Sequence, residues 1–148
     1  MGSIAQFEKI LTIRTTEKDL AMKEYQDSVE EFETVALELY NLLKEKEELE
    51  EELSNKFHSQ VTVQEIQHYQ TYLQILEKQI LAANQKVQQS REKMELKKQK
   101  LSDSYIEMKK FERIVDVKKK EFLDHIAKLE NEQMNEISIQ QFLRTRKR

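Results

Sequence analysis

The chain has 148 residues, of which 28 are Asp or Glu and 25 are Lys or Arg, and it contains no Pro, no Cys, no Trp and a single Gly. These absences exclude collagen-like and disulfide-stapled folds, Gly-rich phosphate loops, Cys-based zinc sites and cysteine nucleophiles. With 36% charged residues and a net charge of −3, the chain cannot enclose a conventional globular core, so the composition predicts a single all-α domain shaped as a rod.

The first predicted element is a helix over about residues 4–57. Its apolar residues recur at alternating spacings of four and three, which is the a/d pattern of a coiled coil. We call these the seam positions of helix 1, and they are Phe7, Leu11, Arg14, Lys18, Ala21, Tyr25, Ser28, Phe32, Val35, Leu39, Leu42, Lys46, Leu49 and Leu53. Tyr40 and Leu43 lie just beside the seam, where a hairpin of two helices has no third element to bury them.

A turn over about residues 58–61 separates the first helix from the second. Thr62 and Glu65 then have the spacing of a capping box, in which the threonine hydroxyl accepts the Glu65 amide and the glutamate reaches back to the Thr62 amide. Val61 and Ile66 occupy the two positions of a hydrophobic staple. The second helix is therefore expected to begin at about Thr62.

The second predicted helix spans about residues 62–132 and carries a matching seam. Its seam positions are Ile66, Tyr69, Leu73, Leu76, Ile80, Ala83, Val87, Ser90, Met94, Lys97, Leu101, Ser104, Met108, Phe111, Val115, Lys118 and Phe122. Tyr72 and Ile75 lie just beside it. Because the connection is short, the two helices should be antiparallel neighbours, and the fold class is an antiparallel two-helix coiled coil without a globular core.

The hairpin register predicts uneven packing along the two helices. Leu53 should face Ile66 near the turn, whereas Ser28 should face Ser90 in the middle. The layers beyond this serine pair are also poor in apolar groups. We therefore expect firm packing near the turn, a looser middle and a second apolar contact near the N-terminus.

Beyond about Val115 the second helix has no partner left in the chain. Phe122, Ile126 and Leu129 continue an apolar stripe that nothing covers, and an exposed stripe of this kind usually marks a binding surface. A basic amphipathic tail over residues 133–148, which includes Phe142, is expected to follow. The tail is too short for more than weak, salt-sensitive attachment to anionic lipid.

Catalytic and metal chemistry are poorly supported by the sequence. Glu65 and His68 have the Glu-x-x-His spacing of di-iron bundles, but such sites need a second copy and two further carboxylates. A helix-capping glutamate beside a surface histidine is the simpler interpretation. A two-helix rod also offers no concave pocket, so we expect no metal, no cofactor and no enzymatic activity.

The basic stretch from Arg91 to Lys120 has two interpretations. Few aromatic residues are interleaved with its charges, so nucleic-acid binding is not expected. We favour a solvated face that balances the acidic first helix, because residues 1–60 carry 15 acidic and 7 basic side chains and residues 61–148 carry 13 acidic and 18 basic. An acidic protein surface is the next choice of partner.

Several segments resemble the flagellar export protein FliJ family. The stretch His68-Tyr69-Gln70-Thr71-Tyr72-Leu73-Gln74-Ile75-Leu76-Glu77 is similar to a Tyr-Gln-x-aromatic-aliphatic-x-x-Leu-Glu stretch of that family. Residues 7–11 with Glu17 and Lys18, residues 35–40 and residues 136–142 are also similar to it. The likeness covers essentially the whole chain, including its length and the position of the turn.

The resemblance implies a stalk-like component of the bacterial flagellar type III export apparatus. By this resemblance, the end that bears the termini enters the hexameric ring of the export ATPase FliI, and Phe122, Ile126, Leu129 and Phe142 would contact the ring. The turn end contacts the export-gate membrane protein FlhA, and the family also handles export chaperones. The residues that the resemblance implies for the gate are the matched Tyr69, Gln70, Tyr72, Leu73 and Leu76 and their continuation Gln79 and Ala83. The off-seam residues that the two helices leave uncovered at the same end are predicted to form one partner surface there, and they are Tyr40, Leu43, Tyr72 and Ile75.

The resemblance further implies a monomer in the cytoplasm, held peripherally at the membrane at the flagellar base. Two alternatives remain open. One is a generic coiled-coil scaffold that associates with itself into a four-helix bundle. The other is the equivalent stalk of a virulence secretion system, which the composition does not distinguish from a flagellar one.

Overall fold

The computed structural model describes residues 2–146, which form two long helices. Helix α1 spans Gly2–Lys56 and helix α2 spans Val63–Arg146. Within these residues there is no strand. Continuous helix is the expected outcome for a sequence that has no proline and whose glycine stands at position 2, because no residue inside either element removes a backbone donor or favours a turn.

The threonine half of the predicted capping box is present at the turn. The backbone amide of Glu65 donates to the Thr62 hydroxyl at 3.2 Å, and the amide of Ile66 donates to the Thr62 carbonyl at 3.2 Å. Thr62 is therefore the N-cap of α2. At the other side of the turn, the amide of Phe57 still donates to the Leu53 carbonyl at 3.1 Å, which closes the last turn of α1.

Two compact units divide the described residues. The residues up to Asp19 and those from Asp103 onward form unit 1, and Leu20–Ser102 form unit 2. In unit 2, Glu24 pairs with Lys97 and Glu31 pairs with Lys93. In unit 1, Glu8 pairs with Lys119, and the Arg14 guanidinium lies over the Phe111 ring. Partners later in α1 stand earlier in α2, so the helices are antiparallel in each unit, and the predicted all-α hairpin is confirmed.

The seam positions form the core. Every seam position named above is buried or half-buried, whereas almost all of the other side chains are exposed. The most deeply buried apolar side chains are Ala21 on α1 and Leu76 on α2, each with 1% of its surface exposed. A heptad pattern therefore located the core of both units, although the core consists of a single stripe on each helix.

The serine pair in the middle of the hairpin is buried. Ser28 is 2% exposed and Ser90 is also buried, whereas Lys18, Lys97 and Leu101 in the layers beyond them are half-buried. Small side chains have little surface to expose, which explains the coverage of the serines. The Ser28 hydroxyl also donates to the Tyr25 carbonyl at 2.6 Å, so it is not left without a partner in the core. The looser packing expected in the middle stays a prediction.

Helix α2 continues beyond the predicted boundary. We expected a helix to about residue 132 followed by a separate tail, but α2 extends to Arg146. The reason is that helix nucleation, the costly step, has already taken place upstream, and each added residue then contributes one further hydrogen bond. No proline or glycine occurs between Val63 and Arg146 to stop this propagation. Residues 147 and 148 of the predicted tail lie outside the described residues.

Candidate partner-binding surfaces

Two cross-helix contacts define the two edges of the hairpin near its turn. On one edge the Tyr72 hydroxyl donates to the Glu45 carboxylate. On the other edge the Lys46 ammonium lies 3.9 Å from the Glu77 carboxylate. Tyr72 and Glu77 project about 140° apart around α2 and flank its seam from opposite sides, and Glu45 projects about 100° from the seam residue Lys46 around α1. We call the two edges the Glu45 edge and the Glu77 edge.

The four off-seam residues predicted as one surface are exposed but lie on different sides of unit 2. Tyr72 and Ile75 belong to the Glu45 edge, because Tyr72 itself makes the contact there. Leu43 lies about 60° from Lys46 and about 160° from Glu45 around α1, which places it at the Glu77 edge. Tyr40 projects outward, away from the seam. The structure therefore divides the predicted surface into two.

The other residues implied for the gate are divided in the same way. Gln79 shares the face of Ile75, four residues earlier, and lies at the Glu45 edge. Gln70 precedes Glu77 by seven residues, projects within about 20° of it, and so lies at the Glu77 edge. Leu76 and Ala83 are buried between the helices. These two side chains have no surface to offer a partner in this conformation, and they support the exposed residues by packing beneath them.

Tyr69 lies at the end of the seam next to the turn and is half-buried. The Lys56 ammonium lies 5.0 Å from the centre of the Tyr69 ring, and hydrogen bonding to Tyr69 raises the pKa of Lys56 above its usual value. At the Glu45 edge, the hydrogen bond with Glu45 raises the pKa of Tyr72. Both contacts join α1 to α2, so Tyr69 and Tyr72 have a structural role whether or not a partner binds.

The apolar stripe beyond the seam is a second candidate surface. Phe122 and Ile126 are half-buried, so the expectation that nothing covers the stripe is wrong for these two residues, whereas Leu129 and every described residue from 127 onward are exposed. The three residues share one face of α2, at spacings of four and three. Ile137 follows Ile126 by eleven residues and projects within about 20° of it. We call Phe122, Ile126, Leu129 and Ile137 the overhang stripe.

Phe142 does not belong to the overhang stripe. It follows Phe122 by twenty residues and projects about 160° away from it around α2, and the exposed Ile139 lies about 60° from it on that side. The sequence interpretation therefore grouped Phe142 with residues on the opposite side of the helix, and it omitted Ile137 from the site. The eleven-residue spacing, three helical turns, was the signal that could have found Ile137.

Part of the basic stretch on α2 is neutralised by the acidic helix, as the favoured interpretation predicted. Lys97 and Lys100 both reach the Glu24 carboxylate, at 3.2 and 3.1 Å. The hydrogen bond from Lys100, followed by that from Lys97, lowers the pKa of Glu24 below its usual range. Lys93 pairs with Glu31 at 2.9 Å. Lysines of this stretch therefore hold α2 to α1 within unit 2.

Within residues 2–146, no three side chains of His, Asp or Glu are grouped so that they could hold a metal ion. In that part of the chain, neither helix has a stretch apolar and uncharged enough to cross a bilayer. The described residues instead present exposed apolar side chains beside charged ones, which is the chemistry of a protein-binding surface.

The fold and its exposed apolar stripes define a helical-hairpin protein of the coiled-coil class. Comparison with known proteins gives the family. The family model described as "Flagellar FliJ protein" matches residues 3–147, and the flagellar FliJ protein of Bacillus subtilis (strain 168) is 38% identical over 138 residues, 93% of this chain and 94% of the relative. The chain belongs to the flagellar FliJ protein family. No solved structure gives a significant match.

Membership of this family confirms the resemblance seen in the sequence and makes the chain a component of the flagellar export apparatus. The match extends across both units and the overhang. It therefore applies to the turn, the seam and the uncovered end of α2 together.

Proposed function

We propose that this chain is the non-enzymatic coupling component of flagellar type III export, acting between the ATPase FliI and the export gate FlhA. The overhang stripe binds within the hexameric ATPase ring, and the turn end of the hairpin binds the gate protein. The chain also assists delivery by export chaperones. It acts in the cytoplasm and attaches to the membrane only peripherally, through its partners. The family match supports a flagellar role over a virulence secretion role.

The observation that carries this proposal is the uncovered part of the overhang stripe. Leu129 and Ile137 are about half exposed, and they continue the direction of a seam whose earlier members are covered by α1. Aliphatic groups on a continuous helix face favour burial, at roughly 25 cal/mol for each Å² removed from water. A helix face of this form suits the recognition mode in which an amphipathic helix lays its apolar side into an apolar groove of the partner.

The turn end supports the second half of the proposal. At the Glu45 edge, Tyr72, Ile75 and Gln79 are exposed and lie within two turns of one helix. Apolar, aromatic and amide groups together are typical of protein contact surfaces. We place the gate contact on this edge, because it carries three of the predicted residues. Tyr40 and Leu43 are then not expected to contribute to it.

The ATPase contact is tested by binding of the full chain to the purified export ATPase of the same bacterium. Leu129→Glu with Ile137→Glu should weaken binding at least about tenfold, because two charges would be buried without partners. The control is Leu96→Glu with Leu81→Glu, two exposed leucines of unit 2, which should bind normally. Unchanged binding by the overhang variant would exclude the stripe as the ATPase contact.

The gate contact is tested with a matched pair of single substitutions. Ile75 is 48% exposed and Leu43 is 46% exposed, so replacing either by Glu should disturb the hairpin equally little. Ile75→Glu should weaken binding to the cytoplasmic part of the gate protein about tenfold or more, whereas Leu43→Glu should leave it unchanged. The reverse result would assign the contact to the Glu77 edge. If both variants bound as tightly as the unmodified chain, neither edge would be the gate contact.

A further inference from the structure

A basic groove on α2 in unit 1 extends from the edge of the seam, at Lys118, to the outward face of the helix. It has a volume of about 720 Å³ and is lined by α2 residues alone. Four of the lining side chains are cations and one is an anion. The groove is formed by Ile106, Lys109, Lys110, Arg113, Ile114, Val117, Lys118 and Glu121.

Two properties separate the groove from an ordinary solvated face. Lys110 and Arg113 form no ion pair with any other described residue, unlike Lys93 and Lys97 of the same helix. Ile106 and Val117 are exposed between the cations. Aliphatic groups flanked by unpaired cations fit a surface that presents apolar side chains together with carboxylates.

The same chain carries such a surface on the outward face of α1 in unit 2. Leu37, Tyr40 and Leu43 are exposed there, and Glu47 and Glu51 follow on the same side of the helix, where they form no ion pair with another described residue. The face is completed by Glu33 and contains one cation, Lys44. We call Glu33, Leu37, Tyr40, Leu43, Glu47 and Glu51 the acidic face.

The groove and the acidic face complement each other in charge and in apolar content. The groove has an excess of cations and the acidic face has an excess of carboxylates, and each contains three apolar side chains. All six residues of the acidic face are exposed within the single chain, as are six of the eight groove residues, whereas Ile114 and Lys118 are half-buried. We propose that the basic groove of one copy binds the acidic face of a second copy.

The contact is expected to be weak and sensitive to salt. Each side consists of a few residues on one helix, which is smaller than a stable interface of about 800 Å² per partner. Attraction between exposed charges is screened within about 10 Å at 0.1 M ionic strength. Reversible self-association at low salt is therefore compatible with a chain that acts as a single copy when it is bound to its partners.

Charge reversal on each surface gives a decisive test. Sedimentation velocity of the full chain at low salt should show association that increases with protein concentration. Lys110→Glu with Arg113→Glu makes the groove acidic, and Glu47→Lys with Glu51→Lys makes the acidic face basic. Each variant alone should remain monomeric, with its helicity unchanged by circular dichroism, because like charges then face each other.

Mixing the two variants should restore the association, because the reversed groove of one then meets the reversed face of the other. Matched controls change the same number of charges elsewhere. They are Lys78→Glu with Lys98→Glu and Glu92→Lys with Glu95→Lys, at exposed positions without an ion pair among the described residues, and both should associate as the unmodified chain does.

Three results would overturn the proposal. They are a monomer at every concentration in low salt, association that is equally strong in the charge-reversed variants or in high salt, and a failure of the mixture to associate. Binding of the groove to anionic vesicles or duplex DNA, with the chain remaining monomeric, would assign the cations to those partners instead. The groove variant keeps the overhang stripe, so ATPase binding reports on the proposed function independently.

Discussion

Helix α2 contains two stretches that carry apolar residues at helical spacing but differ in what covers them. From Ile66 to Phe122 the seam residues are buried or half-buried against α1. From residue 127 to Arg146 the helix continues, but every residue is exposed. The backbone conformation is the same in both stretches, so the difference lies in the presence of a neighbouring helix.

The comparison shows that helix formation and burial have separate causes in this chain. Local propensity and prior nucleation extend α2 through residues 127–146 without tertiary contacts. Burial requires a neighbouring helix, and no described residue of α1 covers residues 127–146. An apolar side chain in the covered stretch should therefore contribute to stability, whereas one in the overhang is available for binding.

The largest expected effect comes from a matched pair of leucines, one from each stretch. Leu76 is 1% exposed and Leu129 is 46% exposed. Leu76→Ala should lower the free energy of unfolding by about 2–5 kcal/mol, because it removes buried methyl groups and leaves a cavity. Leu129→Ala should change it by less than about 0.5 kcal/mol. Urea denaturation followed by circular dichroism measures both, and equal losses would show that the overhang is also covered in solution.

The serine pair in the middle tests the covered stretch where its side chains are smallest. Ser28→Leu should destabilise the chain by about 1–3 kcal/mol, because a larger side chain must displace its neighbours at a fully covered position. Ser102→Leu, at an exposed position, should change stability by less than about 0.5 kcal/mol. If Ser28→Leu were stabilising instead, the middle would have room for a larger side chain, and its burial would not reflect close packing.

The sequence predicted the fold well because one strong signal, the heptad pattern, determines it. Spacing alone assigned Leu76, Met108 and Val115 to the core, and the structure buries all three. The capping pattern at Thr62 likewise located the start of α2 to within a residue. These features are local in sequence, so a linear pattern is sufficient to find them.

The candidate surfaces were predicted less completely because they depend on direction around the helix and on contacts between helices. Tyr40 and Tyr72 each lie beside a seam in the sequence pattern. The contacts of Glu45 with Tyr72 and of Lys46 with Glu77 are what show that the two tyrosines face different sides. The end of α2 was placed too early, at residue 132, because a loss of heptad pattern was interpreted as a loss of helix. Heptad spacing reports on a neighbouring helix, and the absence of a neighbour does not end a helix.

A moderate effect is expected at the N-cap where the covered stretch begins. Thr62→Ala removes the acceptor of the Glu65 amide and should cost about 1 kcal/mol, whereas Thr62→Ser should retain most of the stability. The control is Thr71→Ala. Its hydroxyl donates to the Gln67 carbonyl, which the helix already satisfies, so this change should have little effect. A loss at Thr71 as large as that at Thr62 would contradict a specific role for the cap.

The smallest expected effect concerns the ion pairs that occur only where α1 lies beside α2. Hydrogen bonds from Lys100 and Lys97 lower the pKa of Glu24 in the folded chain, so its carboxylate stabilises the fold above the unfolded pKa of about 4.3. That contribution is lost as the pH falls through the lower, folded pKa. Between neutral pH and pH 3 the unmodified chain should therefore lose slightly more stability than Glu24→Gln.

Urea midpoints measured at both pH values give this difference, and repeating them at high salt provides the control. The pairs are at the surface, so screening should reduce the difference between the two chains. A difference that persists at high salt would mean that Glu24 acts through packing instead of charge. Because the described overhang forms no such pair with α1, a Glu130→Gln change there should not reproduce the effect. If Glu130→Gln did reproduce the effect, the loss of stability in acid would come from charges within a single helix. It would then not distinguish the covered stretch from the exposed one.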